Sequence, residues 1–384
     1  MSYFYIDEQT EFKLYKRIKE QLNWKNGISR NISELKNYCY YGYSNNELRP
    51  KYWKLFLNYL PDNKFRTEYF LKDRRKSYVY YTQRIKNGCN VVEDDMNRTI
   101  LFTKDENIEN EKKECSKNIN STSVSSDDMD YQDNISPNED KLVDEPEYTD
   151  DNLPADNLPE PTQNIYHKKC KFLDSTVFDG SETHRDVIKR ILLTYKSTNV
   201  TIGYVQGMNM LLIPIYYVFV NSSDIEDVKY AEADAFFCFL NLMCEIGDCF
   251  VPGLDFDQQL GIKRKLEAVI EILKEYDDEL YNKLSDNNIL ELPFHLRWVT
   301  ILLAHEFSID ETIILWDRLL ADINRFEMVQ YCCVGILVLY KNEIMKNTHD
   351  KIMEILQDIN VDDVLKIFYI GDEIRRKIKS KTTK

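Results

Sequence analysis

The segment TIGYVQGMNMLL, Thr201 to Leu212, decides how this chain is read. Before it, Val187, Ile188, Ile191, Leu192 and Tyr195 recur at helical spacing, and Lys196 to Val200 breaks the pattern. After it, Met208 to Val220 is almost wholly apolar, as expected of a helix buried on most sides. One amide side chain, Gln206, and one glycine, Gly207, stand at the junction. Glycine at a helix entry lets another backbone approach closely. A glutamine carried there by a buried helix is placed to orient a water or a phosphate. The same residues also read as the polar first turn of a core helix, and spacing alone leaves both readings open.

Working outward, 384 residues with 26 Tyr and 18 Phe provide for a large core. The net charge of -15 argues against nonspecific nucleic-acid binding. No basic stretch followed by an apolar run suggests a secretory signal. The longest apolar runs are far shorter than the roughly 20 residues that cross a bilayer. Nine cysteines without paired spacing read as reduced thiols of a cytoplasmic protein. The five histidines are scattered, so no metal site is expected, and no Walker-type phosphate loop is present.

Towards the N-terminus, residues 1–30 read as one amphipathic helix ended by Asn26-Gly27, followed by a short helix over Ile32 to Tyr40. In LRPKYWKLFLNYLP, Leu48 to Pro61, Pro50 suits a first helical turn, and Trp53, Leu57 and Leu60 share a face. Phe65 to Lys86 reads as a long polar-aromatic helix whose Lys and Arg form a solvated face. Next comes VVEDDMNRTILF, Val91 to Phe102. On its own it is an acidic turn with one surface arginine, Arg98. Beyond the junction, helices are expected over Ala231 to Ile246, Leu292 to Phe307, Met328 to Tyr340 and Val364 to Lys377. Ser308 and Glu311 form a capping box ahead of ETIILWDRLL. No run alternates with period two, so the expected class is all-α.

Four motifs in order carry a resemblance: Arg49-x-x-x-Trp53, Val92-x-x-Asp95-x-x-Arg98-Thr99, Tyr204-Val-Gln206-Gly207-Met-Asn209 and Trp316-Asp317. The chain resembles the TBC domain, the GTPase-activating domain for Rab-type small GTPases, and its layout is most like the subgroup typified by TBC domain family member thirteen. The resemblance implies an all-α, multi-helix domain over 31–380. It implies Arg98 and Gln206 as catalytic fingers, with Asp95 orienting Arg98 by a charge-assisted hydrogen bond. Tyr204, Gly207 and Asn209 support Gln206, while Arg49, Trp53, Trp298, Trp316 and Asp317 are structural. A competing match, Ile165-x-x-Lys168-x-x-Lys171, has lysine at both polar positions and is set aside for Arg98.

That choice implies a long insertion between the fingers. Residues 104–160 hold 18 Asp plus Glu against 5 Lys plus Arg, a net of -13. Apolar residues are too sparse there to offset ordering entropy, so an acidic disordered loop is expected.

The implied function is activation of a Rab-family GTPase in its GTP-bound state, with no cofactor of its own, since GTP and Mg belong to the partner. The implied location is cytoplasmic, peripheral on endomembranes through that partner, with no nucleic acid bound. A catalytically silent scaffold of the same fold and a generic helical adaptor are the competing readings. If the core does without the insertion, replacing 104–160 by a flexible linker will leave the melting temperature nearly unchanged in calorimetry. Loss of cooperative unfolding would reveal an ordered element there.

Overall fold

The computed structural model describes residues 8–23, 31–85, 90–98, 171–177, 180–254, 261–291 and 294–382. The acidic insertion 104–160 and Lys168 lie outside the described residues. In chain order the helices are α1 (Glu8–Leu22), α2 (Ile32–Tyr40), α3 (Arg49–Phe56), α4 (Lys64–Thr82), α5 (Asn90–Arg98) and α6 (Lys171–Asp174). There follow α7 (His184–Thr198), α8 (Met208–Val220), α9 (Ile225–Lys229), α10 (Ala231–Ile246), α11 (Gly261–Tyr276) and α12 (Asp278–Asp286). The last are α13 (Leu296–Thr300), α14 (Ile309–Ala321), α15 (Glu327–Leu339), α16 (Lys341–Lys346), α17 (His349–Gln357) and α18 (Leu365–Thr382). The only β pairing among the described residues is an isolated bridge between Thr176 and Thr183. The fold is all-α, as expected.

The apolar helices α8, α10 and α15 are buried along most of their length because nearly every position is apolar. The capping box expected at Ser308 and Glu311 is present at α14, and Thr183 with Asp186 forms a second one at α7.

The helix expected over Leu292 to Phe307 is not continuous. Among the described residues of that span, only α13 is helical. Leu302 and Leu303 then take positive φ, 52° and 62°. The reason is a competing bond. Trp316 Nε1, buried in α14, donates to the Leu302 carbonyl at 3.0 Å, while Leu303 N–H reaches back to Trp298 O. Trp298 itself is fully buried and packs edge-on to Phe294.

Asp317, fully buried in α14, collects donors from the segment 44–53. Arg49 reaches it through Nε and Nη2 at 3.0–3.1 Å, Trp53 Nε1 at 2.7 Å, Tyr52 OH at 3.0 Å and Ser44 Oγ at 2.5 Å. Trp53 also stacks on Trp316, with ring centroids 6.0 Å apart. Burial opposes the charge on Arg49, but Asp317 outweighs it and holds the guanidinium above its ordinary range.

On the other side of α3, Lys54 is buried between Asp227 at 2.8 Å and Asp234 at 2.6 Å. Asp234 also accepts from Tyr59 OH and, bidentately, from Arg75 of α4. Burial alone would raise the Asp234 pKa, but Arg75 and Lys54 hold it below the usual carboxylate value. This corrects the reading of α4 as a helix whose basic residues are all solvated: Arg75 turns inward because a buried carboxylate awaits it.

Asp317→Ala leaves Arg49 charged, buried and without its main partner. The expected loss is about 3–5 kcal/mol, read as a lower urea midpoint. A loss below about 1 kcal/mol, the net worth of an ordinary hydrogen bond, would contradict a central role for this carboxylate.

Candidate functional site

Helix α5 is anchored by Val92 and Met96, one turn apart and both buried against the core. Asp95 shares that inward side and is 7% exposed. Arg98 lies one turn beyond Asp95, on the last residue of α5, and points outward as an exposed side chain. Helix α7 holds α5 from beneath: Lys189 pairs with Glu93, and Arg185 donates to the Met96 carbonyl. Arg185 also binds Asp174 of α6 at 3.0 Å.

The second part is the loop from α7 into α8. Gly203 N–H bonds Asn199 O at 2.7 Å, closing the turn after α7. Gly207 is the N-cap of α8 with φ 95°, a left-handed conformation that a side chain would strain. A Cβ at Gly207 would also stand 3.4 Å from Ile301 Cγ2.

Asp95 joins the two parts. Its Oδ2 accepts from the Gly207 backbone N–H at 2.9 Å and from the Tyr204 hydroxyl. A carboxylate suits this place because the first amides of α8 lack helical partners and carry the positive end of its dipole. Asp95 was expected to orient Arg98. The described bonds of Asp95 lie on the glutamine loop, where they fix the turn on both sides of Gln206.

Gln206 itself is exposed. Among the described residues, no partner holds the Gln206 amide or the Arg98 guanidinium. Asn209, two residues on, is buried in the first turn of α8. Arg98 and Gln206 are thus brought to either side of one buried carboxylate, 108 positions apart in sequence but tied through Asp95 and Gly207. Arg49, Trp53, Trp298, Trp316 and Asp317 sit in the buried frame. Lys171 of the competing motif begins α6.

Sequence reasoning missed the Lys54–Asp227–Asp234–Arg75 network. The available signal was two acids, Glu232 and Asp234, inside the otherwise apolar run AEADAFFCF. No group of His, Cys, Asp and Glu able to hold a metal occurs among the described residues, and no described helix is long and apolar enough to cross a membrane.

The sequence profile of the Rab-GTPase-TBC domain matches residues 167–345, a span that includes Gln206 and not Arg98. "TBC1 domain family member 13" of Homo sapiens and of Mus musculus are each 42% identical over 197 residues, 51% of this chain and 49% of theirs. "GTPase-activating protein gyp1" of Schizosaccharomyces pombe is 30% identical over 193 residues, 46% of this chain and 37% of its own. The chain thus spans about half, or less, of the length of these curated relatives. Among solved structures, the crystal structure of the Ypt/Rab-GAP domain of Gyp1p superposes with a TM-score of 0.66 over 97% of this chain and 99% of that one. At 19% identity this is a likeness of fold.

Asp95→Ala removes the acceptor for Gly207 N–H and Tyr204. Hydrogen bonds to a charged group contribute about 1.5–3 kcal/mol, so the Gly207 amide will exchange with solvent at least about tenfold faster, while core amides of α15 keep their protection. An unchanged Gly207 exchange rate would show that the loop holds its shape without Asp95.

Proposed function

We propose that this chain, whose residues 167–345 match the Rab-GTPase-TBC domain, accelerates GTP hydrolysis on a Rab-type small GTPase, supplying Arg98 and Gln206 in trans. The observation that carries this reading is the Asp95 clasp, which leaves one guanidinium and one amide exposed beside a fixed turn. GTP and Mg reside in the partner, bound in its GTP state. The protein works in the cytoplasm, at the endomembrane where that partner resides.

Each finger follows from its chemistry. A guanidinium is planar, always charged and forked, so it meets negative charge spreading over phosphoryl oxygens in the transition state. A side-chain amide accepts from a water and donates to a phosphate oxygen at once, which aligns the water for attack. Which chain provides that amide is immaterial once its position is fixed. The buried frame fixes the turn, and Asp95 fixes both edges of Gln206, so little ordering entropy remains to be lost when the partner docks.

Single-turnover hydrolysis over a panel of Rab-type GTPases tests the proposal. With the responsive partner, Arg98→Ala should reduce the stimulated rate about a thousandfold to a hundred-thousandfold. Binding should weaken far less, because the charge that Arg98 meets develops in the transition state. A partner whose own switch glutamine is replaced by leucine should still respond to the wild-type protein and not to Gln206→Ala. Loss of response from the partner's substitution alone would reduce Gln206 to a contact residue. Binding without any stimulation across the panel would leave a scaffold.

A further inference from the structure

Helix α4 has two different faces. Inward, Arg75 binds Asp234, Tyr78 OH donates to Glu232 at 2.6 Å, and the Tyr78 ring meets Phe236. Outward, Phe65, Tyr69, Lys72, Lys76, Val79 and Tyr80 recur at i, i+4, i+7, i+11, i+14 and i+15, one narrow stripe of a helix. All six side chains are exposed, Phe65 at 74% and Tyr69 at 77%. Apolar bodies so open to water on a long helix call for a partner.

The charge on this stripe is one-sided. The acids of α4, Glu68 and Asp73, fall on its opposite flanks, and Lys72 and Lys76 have no ion-pair partner among the described residues. A cavity of about 680 Å³ opens along one edge, where Lys229 adds a third amine opposite Lys72 and Lys76. Glu226 and Glu68 share that rim, while Glu232 behind it is matched by Arg190 at 2.7 Å. Much of the chain's negative charge is concentrated in 104–160, so the basic stripe belongs to a nearly neutral remainder.

We propose that the outward face of α4 docks on an anionic lipid bilayer, with Phe65 and Tyr69 entering the headgroup boundary and Lys72 and Lys76 meeting lipid phosphates. A convex single-helix face matches a plane better than it matches a protein groove. Lysine is depleted in protein–protein interfaces, yet with aromatics it is the usual composition of surfaces that lie on membranes. Its ammonium reaches the phosphates while its methylenes lie along the aromatic rings. The contact does not depend on the GTPase reading, because no partner protein takes part.

Sedimentation of the full chain with vesicles of phosphatidylcholine, alone or with about a third phosphatidylserine, tests the proposal. Binding is expected only with phosphatidylserine and should fall as salt is raised, since exposed charges are screened. Lys72→Ala with Lys76→Ala should lower the partition roughly thirtyfold, from about 1 kcal/mol per lysine. Phe65→Ser with Tyr69→Ser should lower it about tenfold. Both pairs should keep the wild-type melting temperature, because the altered side chains are exposed. A Phe65→Trp variant reads insertion directly, as a blue shift of its emission on the anionic vesicles. Equal binding to both vesicle types, no binding at low salt, or wild-type binding by both variants would overturn the proposal. So would loss of GTPase stimulation in vesicle-free solution with vesicle binding intact, which would assign the face to a protein partner.

Discussion

A carboxylate buried without counter-charge is intolerable in a protein interior, and the fully buried Asp317 is given one by Arg49. Its two oxygens take donors from Ser44, Arg49, Tyr52 and Trp53, all more than 260 positions away. Once these bonds form, α3 is locked against α14 with its indole on Trp316. Because α3 is then fixed, Lys54 on its other side faces Asp227 and Asp234, and through Asp234 it fixes α4 and α10. Charge neutralisation thus runs through the core, and the apolar helices fill the space around it. Such pairs add little net stability compared with apolar substitutes, but they tolerate only one arrangement of partners.

The candidate site around Asp95 uses the same device at a smaller scale and nearer the surface. Asp95 is tucked behind two exposed residues and spends its charge on the start of α8. The dipole of that helix and the unpaired amides of its first turn favour the carboxylate there. The glycine at the cap is what lets the amide come within reach, since φ of 95° would strain a residue with a side chain. Rigid support lies below, and the exposed side chains of Arg98 and Gln206 lie above.

The stripe on α4 shows why mean amphipathicity is a poor guide to such a chain. Its inward face carries Arg75 and Tyr78 because buried carboxylates demand donors, and its outward face carries Phe65 and Tyr69. Polar and apolar residues therefore occupy both sides, and the helix has no conventional hydrophobic face although each side is chemically distinct.

Much was legible in the sequence alone. Period 3.6 without any period-two run fixed the all-α class, and the bounds of the helices at Ile32–Tyr40, Met208–Val220 and Ala231–Ile246 followed from where apolar runs meet polar breaks. The capping box at Ser308 was readable because its chemistry is local, four residues long. The candidate residues Arg98 and Gln206 were marked by short motifs for the same reason. What the sequence did not contain was who meets whom. That Asp95 reaches the Gly207 amide 112 positions away, that Trp316 takes the Leu302 carbonyl and breaks the expected helix there, and that Arg75 leaves the solvated face for Asp234 were decided only by tertiary structure. Each is a contact between positions that helical periodicity treats as independent. The choice among possible partners for a buried charge is made by the packing that excludes water, and that packing exists only once the chain has folded.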